Sequence, residues 1–257
     1  MIKKRIGGVI TVYNGLAVQS FGFKKYLPMG NPVALAENLN RWGADEIILL
    51  DIKRSKQNLG PNLELLKSIS NSNINTPLTY GGGITSVDDA VAVISAGAER
   101  VILDSLLHKD LNKVYKISNY LGSQAIVGSF PLSFDKNGNL NWYNHLKETN
   151  KKIDESVINI LKNKFISEVL IIDKNHEGTP ETFDSILIEK FPVKIPIIAF
   201  GGLSIKKDLK RVFENSYVVS AAIGNSLNYT EHSIQKIKLQ FKEKFIRKAN
   251  FSNDNLK

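Results

Sequence analysis

Two strand–glycine–helix junctions carry the residue types that hold anions: Tyr80-Gly81-Gly82-Gly83-Ile84-Thr85-Ser86 and Phe200-Gly201-Gly202-Leu203-Ser204. In each, a short apolar run meets glycines, then a hydroxyl, then a helical pattern. Glycines let backbone N–H groups approach a phosphate at the N-terminus of the helix that follows. One such cluster is as readily a plain turn, but two at matching places in two halves of a chain form a pattern. Gly178 with Thr179, and Gly224-Asn225-Ser226, supply further backbone and side-chain donors after other strand-like runs. Candidates for proton transfer are fewer. Asp51, Asp104 and Asp173 end apolar runs, and His176 lies in a loop where it is either a general base or plain surface. His108, His145 and His232 make no metal-ligand spacing. Without cysteine there is no thiolate nucleophile, disulfide framework or cysteine metal site. Neither a metal nor a cofactor is expected.

The elements that must position these groups alternate along the chain. Strand-like apolar runs fall near 5–12, 46–51, 77–80, 100–104, 124–130, 168–173, 195–200 and 217–222. Helix-period segments fill 32–43, 61–70, 86–97, 110–121, 154–165, 182–191, 205–215 and 232–248. Asn31-Pro32 and Ser86 followed by two aspartates read as helix starts, and Gly43, Gly97 and Gly122 as helix stops. Eight strand–helix pairs in about 250 residues are the count of a (β/α)8 TIM barrel. Asp45 to Asp51 recurs as Ser167 to Asp173, and the glycine junctions recur at nearly the same offset. A period of about 120 residues with four units each implies two similar half-barrels; an open doubly wound sheet does not require it. The expected domain is residues 1–249, with 250–257 a disordered tail.

In such a barrel the C-terminal strand ends carry chemistry and the opposite rim carries stability or partners. Thr11, Asp51, Asp104, Ser105 and the glycine clusters belong to the first face, and Arg5, Glu46, Arg100 and Glu168 to the second. The chain has 34 basic and 25 acidic residues, a net charge of +9. That excess suits an anionic ligand or an acidic partner, or equally a lysine-rich solvated surface. Aromatic and basic residues do not interleave as in single-strand binders, so no nucleic acid is expected. No apolar run approaches the roughly 20 residues of a membrane span, and no signal peptide precedes the first strand; the expectation is a cytoplasmic enzyme without membrane contact.

These residues bring a family into view. Lys4-Arg5-Ile6, Asn14-Gly15, Gly43-Ala44-Asp45-Glu46, Leu50-Asp51-Ile52, Pro77 to Ile84, Gly122-Ser123-Gln124, Glu177-Gly178-Thr179 and Ala199-Phe200-Gly201-Gly202 together resemble the cyclase subunit of imidazole glycerol phosphate synthase, from histidine biosynthesis. The resemblance covers nearly the whole chain. It implies a barrel that takes ammonia from a glutaminase, a class I glutamine amidotransferase subunit, at its bottom face. It also implies phosphate sites at Gly82 and Gly83, and at Gly178, Thr179, Gly201, Gly202, Gly224, Asn225 and Ser226. Arg5, Glu46, Arg100 and Glu168 match the family's ring of alternating charges around the ammonia entrance, with Arg100 where lysine is usual. Thr79, on the internal path, also matches. The same ring would serve simply to close the barrel end, since buried charges must be paired.

The departures are all at the top. The family's two acid–base aspartates align with Thr11 and Pro131, neither of which can shuttle a proton near neutral pH. Gln19 replaces a lysine on the first loop, Asp104 replaces an asparagine, and Leu146-Lys147-Glu148-Thr149 replaces a basic glycine-rich turn. Asp51, an aspartate in the family too, either orients a ligand or substrate or makes a loop hydrogen bond, and in a working cyclase Asp51 or Asp104 takes over the proton transfer. The reading is a cyclase-like subunit that has lost its acid and base. It resembles the partners of bacterial surface-sugar pathways that install an acetamidino group, with ammonia passed to a third, sugar-amidating enzyme. Two alternatives stand beside it: a working cyclase with relocated catalytic residues, and a non-catalytic phosphosugar-binding barrel.

Overall fold

The eight strand-like runs pair edge to edge because each is apolar on both faces and can be buried on both sides. The computed structural model describes residues 3–179, 182–204, 206–242 and 244–249; the tail 250–257 lies outside them. In chain order the strands are β1 (Arg5–Tyr13), β2 (Leu16–Phe21), β3 (Lys25–Gly30), β4 (Glu46–Asp51), β5 (Leu78–Gly81), β6 (Arg100–Leu103), β7 (Ile126–Phe134), β8 (Leu140–Asn144), β9 (Thr149–Lys151), β10 (Glu168–Asp173), β11 (Ile197–Phe200) and β12 (Val218–Ile223). The parallel order β1, β4, β5, β6, β7, β10, β11, β12 returns to β1, closing an eight-stranded barrel. The helices are α1 (Pro32–Arg41), α2 (Arg54–Gln57), α3 (Leu63–Ser70), α4 (Val87–Ser95), α5 (Ser105–Lys109), α6 (Leu111–Leu121), α7 (Glu155–Lys162), α8 (Ile186–Glu189), α9 (Lys206–Phe213) and α10 (Ser233–Lys238). Among the described residues no helix is long and apolar enough to cross a membrane.

Side chains alternate across each barrel strand. Val9, Ile48, Ile102, Val127, Leu170, Ile198 and Phe200 fill the barrel's interior, while their sequence neighbours join the larger core beneath the helices. Helix starts follow the expected chemistry: Asn31 accepts from the Val33 amide with Pro32 in the first turn, and Ser86 accepts from the Asp89 amide at 3.0 Å.

Several elements differ from the expected pattern. The segments 182–191 and 232–248 shrink to the short helices α8 and α10. Two antiparallel additions stand on the top face: β2–β3 after β1, and the β7–β8–β9 meander formed from the polar segment 132–152. Asn14 (φ 50°) and Gly15 (φ 78°) make the tight connection from β1 to β2, a turn that asparagine–glycine pairs favour in hairpins. Pro131 is tolerated within β7 because pairing with β6 ends at Gly128, so the strand beyond no longer needs every ladder donor on that side.

Candidate functional site

At the bottom of the barrel the strand-starting charges meet. Arg5 reaches Glu46 through Nε (3.2 Å) and Glu168 through Nη1 and Nη2 (3.1 and 2.6 Å). Arg100 donates Nη1 to Glu168 at 2.7 Å, Nη2 to Glu46 and Nε to the Thr79 hydroxyl at 3.3 Å. Ser220 adds its hydroxyl to Glu46. The result is a closed ring in which each arginine bridges both glutamates, with no net charge. Burial alone would lower the Arg5 pKa, but the hydrogen bonds and charges of Glu168 and Glu46 outweigh it and hold it up. The same pairing holds Glu168 below the ordinary glutamate value against its own burial. An arginine at position 100 matters here: one planar fork serves both carboxylates and Thr79 at once, which a single ammonium does less well. Ser220 carried no signal in sequence beyond its place at a strand start.

The top face holds two concavities. The first is lined by Thr11, Gly178, Thr179, Gly201, Gly202, Gly224, Asn225 and Ser226, together with Ser204. It is thus assembled from the ends of four strands, β1, β10, β11 and β12. Part of it is engaged with the β2–β3 hairpin. The Asn225 side chain accepts from the Ser20 amide and donates to the Ser20 carbonyl (3.3 and 2.8 Å). Glu177 accepts from the Ser20 hydroxyl and the Phe23 amide (3.1 and 3.2 Å). Burial pushes the Glu177 carboxyl up despite those donors and the Gly22 amide.

The second concavity, about 990 Å³, lies over β4 to β7. Gly82, Asp51, Asp104, Ser105 and Ser129 form its floor; Phe23, Tyr26, Tyr143 and His145 form its walls. Gly83 is turned away, its amide donating to the Ser55 hydroxyl at 3.1 Å and its α-carbon pressed on the Gly60 carbonyl. Asp51 accepts from the Asn62 amide at 3.0 Å and lies 3.8 Å from Arg54. Burial lifts both Asp51 and Asp104, against those two partners for Asp51 and against His145 and a Ser129 hydrogen bond for Asp104. Pro131 is buried in β7 opposite Ile172 and lines neither concavity, and Gln19 lies on β2 opposite Leu27.

Two groups escaped the sequence reading. His176 does have a carboxylate partner, Asp173, at 2.6 Å; the same aspartate accepts from the amides of Asn175, His176 and Asp184 and so shapes the loop after β10. Their i, i+3 spacing was the available signal. His145 reaches the cleft from the connection after β8; the β7–β8–β9 meander brings it there. Among the described residues no group of three or more histidines and carboxylates is arranged to hold a metal ion.

Comparison with known proteins gives this geometry a context. The profile of the family described as Histidine biosynthesis protein matches residues 5–233. The imidazole glycerol phosphate synthase subunit HisF of Flavobacterium psychrophilum is 30% identical over 252 residues, covering 96% of this chain and 99% of that protein. The HisF subunits of Staphylococcus aureus (31% identical; 93% and 96% covered) and Natranaerobius thermophilus (30%; 95% and 98%) match in the same way. A barrel closed by alternating charges at one end and glycine-lined at the other, matched from end to end in this way, belongs to the histidine biosynthesis protein family, among relatives of the subunit HisF.

Proposed function

We propose that this chain is the cyclase-like subunit of a glutamine amidotransferase system. It receives ammonia at the ring of Arg5, Glu46, Arg100 and Glu168 from a bound glutaminase and passes it through the barrel past Thr79. The observation that carries the reading is the contrast between the two ends. The bottom ring is complete and hydrogen-bonded at every arm, whereas Thr11 and Pro131 stand where the family has proton-transferring aspartates. The acceptor in this reading is a bacterial surface sugar, amidated with a third enzyme. Phosphate or a phosphorylated small molecule sits at Gly201, Gly202, Gly178, Thr179 and Ser226.

A second reading, a cyclase with relocated acid and base, draws support from Asp51 and Asp104, two buried carboxyls in one cleft whose affinity for protons is raised. One experiment separates the two. The purified chain is given the histidine-pathway nucleotide substrate and saturating ammonium, which bypasses any glutaminase. Turnover on the order of 1 per second or faster overturns the first reading. Absence of turnover, with glutamine hydrolysis by a class I glutaminase subunit stimulated on mixing, supports it.

A further inference from the structure

The larger top-face cleft has the wrong charge for the ligand its glycines would suggest. Asp104 follows β6 at its floor, and among the described residues it forms no ion pair with lysine or arginine; His145 lies near it and Ser129 is hydrogen-bonded to it. Asp51, a second floor carboxylate, is 3% exposed and, beside the Asn62 amide at 3.0 Å, has among the described residues a single cationic partner, Arg54 at 3.8 Å. Ser105 is more than nine-tenths buried, lines the same floor, and makes no side-chain hydrogen bond to a described residue.

The lysines at the rim do not offset these carboxylates. Lys53 lies over the rings of Tyr13 (4.6 Å) and Tyr26 (5.2 Å), and Lys56 pairs with Glu148. The walls are aromatic. Phe23 and Tyr26 come from the β2–β3 hairpin, Tyr143 and His145 from the meander, with His145 edge-on to Phe23 (5.3 Å) and Tyr143 (4.9 Å). Carboxylates at the floor attract a cation and repel a phosphate; of the aromatic walls, Tyr26 and Tyr143 already carry Lys53 and Lys174 (4.4 Å for the latter), while Phe23 carries no lysine or arginine among the described residues.

We propose that this cleft binds an organic cation, a ring-bearing ligand that presents an ammonium or amidinium group to Asp104 and Ser105 while its ring lies between the aromatic side chains of the two hairpins. Burial holds the Asp104 and Asp51 carboxyls above their ordinary values, and a cation docked against them relieves that cost. The inference goes beyond the ammonia-transfer reading and does not depend on it.

Benzamidine and benzoate share a ring and differ in the sign of their charge, so they test this directly on the full chain. Binding is followed by the NMR signals of the His145 and Tyr143 rings. The expected result is saturable binding of benzamidine with a dissociation constant of about 10 mM or tighter, and no saturable shift with benzoate. Asp104→Asn, nearly the same in shape, weakens benzamidine about tenfold or more, as loss of one charge-assisted hydrogen bond requires. Should that variant fail to fold, Phe23→Ala at the wall weakens binding about threefold through the lost ring packing. Benzoate or inorganic phosphate binding as well as benzamidine, no saturable benzamidine shift, or variants that bind it unchanged would each overturn the proposal. Probe and readout lie at the end opposite the charged ring, so failure of glutaminase docking leaves this test untouched.

Discussion

Removing the charge of Glu46 should destabilise the barrel far more than an ordinary ion pair would. Glu46 is 2% exposed and accepts from Arg5, Arg100 and Ser220 at once. In Glu46→Gln, two guanidiniums are left sharing the single carboxylate of Glu168, and the ring acquires a net positive charge. Breaking a buried pair costs about 3–5 kcal/mol. Both arginines keep 17–18% of their side-chain surface in water, which screens part of the excess charge and brings the expected loss to about 2–4 kcal/mol. For a chain of this size that is a fall in Tm of roughly 5–12 °C. The double variant Glu46→Gln with Arg100→Gln restores neutrality and should lose clearly less than the sum of the two single variants. Acid should act through the same ring. Glu168 has a folded pKa below its ordinary value, so its contribution is full above the unfolded value and is lost as pH falls through the lower folded one. Urea and thermal denaturation at pH 7, repeated toward pH 3, measure all of this. A Glu46→Gln loss under about 0.5 kcal/mol, in the range of an exposed pair, would refute a ring held by mutual neutralisation, as would strict additivity in the double variant.

Three further outcomes follow from single sites. His108 stacks on Trp142 (3.7 Å), and burial, with lesser contributions from Lys151 and His145, lowers its pKa to about 3. A histidine held neutral in the fold loses stability as pH drops below the unfolded value near 6.5, by about 2 kcal/mol at pH 5; His108→Phe should flatten that fall in pH-dependent urea melts. Gly83 has φ 72°, and a Cβ there would run into the Gly60 carbonyl, so Gly83→Ala should cost about 3 kcal/mol or more and expose Lys53 and Lys56 to limited trypsin digestion. Glu177→Ala removes the acceptor that ties β2–β3 to the loop after β10, releasing about 2 kcal/mol of charge-assisted hydrogen bonding; faster tryptic cleavage at Lys24 or Lys25, with an unchanged global Tm, is the expected sign.

The barrel was legible because its determinants are local and repeated. Runs such as Ile47 to Leu50 and Val169 to Ile172 are buried on both faces and can only be interior parallel strands. The bottom ring was legible once strand starts were known, because position along a strand fixes which end a side chain occupies. What could not be read was the work of the loops. Nothing local showed that a β2–β3 hairpin would fold back to occupy the amide of Asn225 and the carboxylate of Glu177, contacts that span 157 to 205 residues of sequence. His145 looked like a surface residue of a polar segment because the meander that aims it inward is held by Trp142, a single large anchor buried against Phe130.

That distribution of legible and illegible features bears on how far the top face stands from its relatives' chemistry. If the chain lacks cyclase turnover, as proposed, and Thr11 and Pro131 alone account for it, the variant carrying Thr11→Asp and Pro131→Asp should recover ammonium-dependent turnover. The surroundings argue otherwise. Thr11 is 6% exposed on β1 opposite Val18, so a carboxylate there would be lifted toward its neutral form by burial. Asp104 brings a further negative charge to the floor of the larger cleft, Gln19 offers no charge to a phosphate, and the Asn225 amide is committed to Ser20. Restoring two proton carriers leaves phosphate recognition as it was. The expected outcome is therefore a double variant that still shows no turnover with ammonium. Recovery to about 1 per second would mean that two side chains alone separate this barrel from the cyclase reaction, and that the altered charges of the cleft are incidental to it.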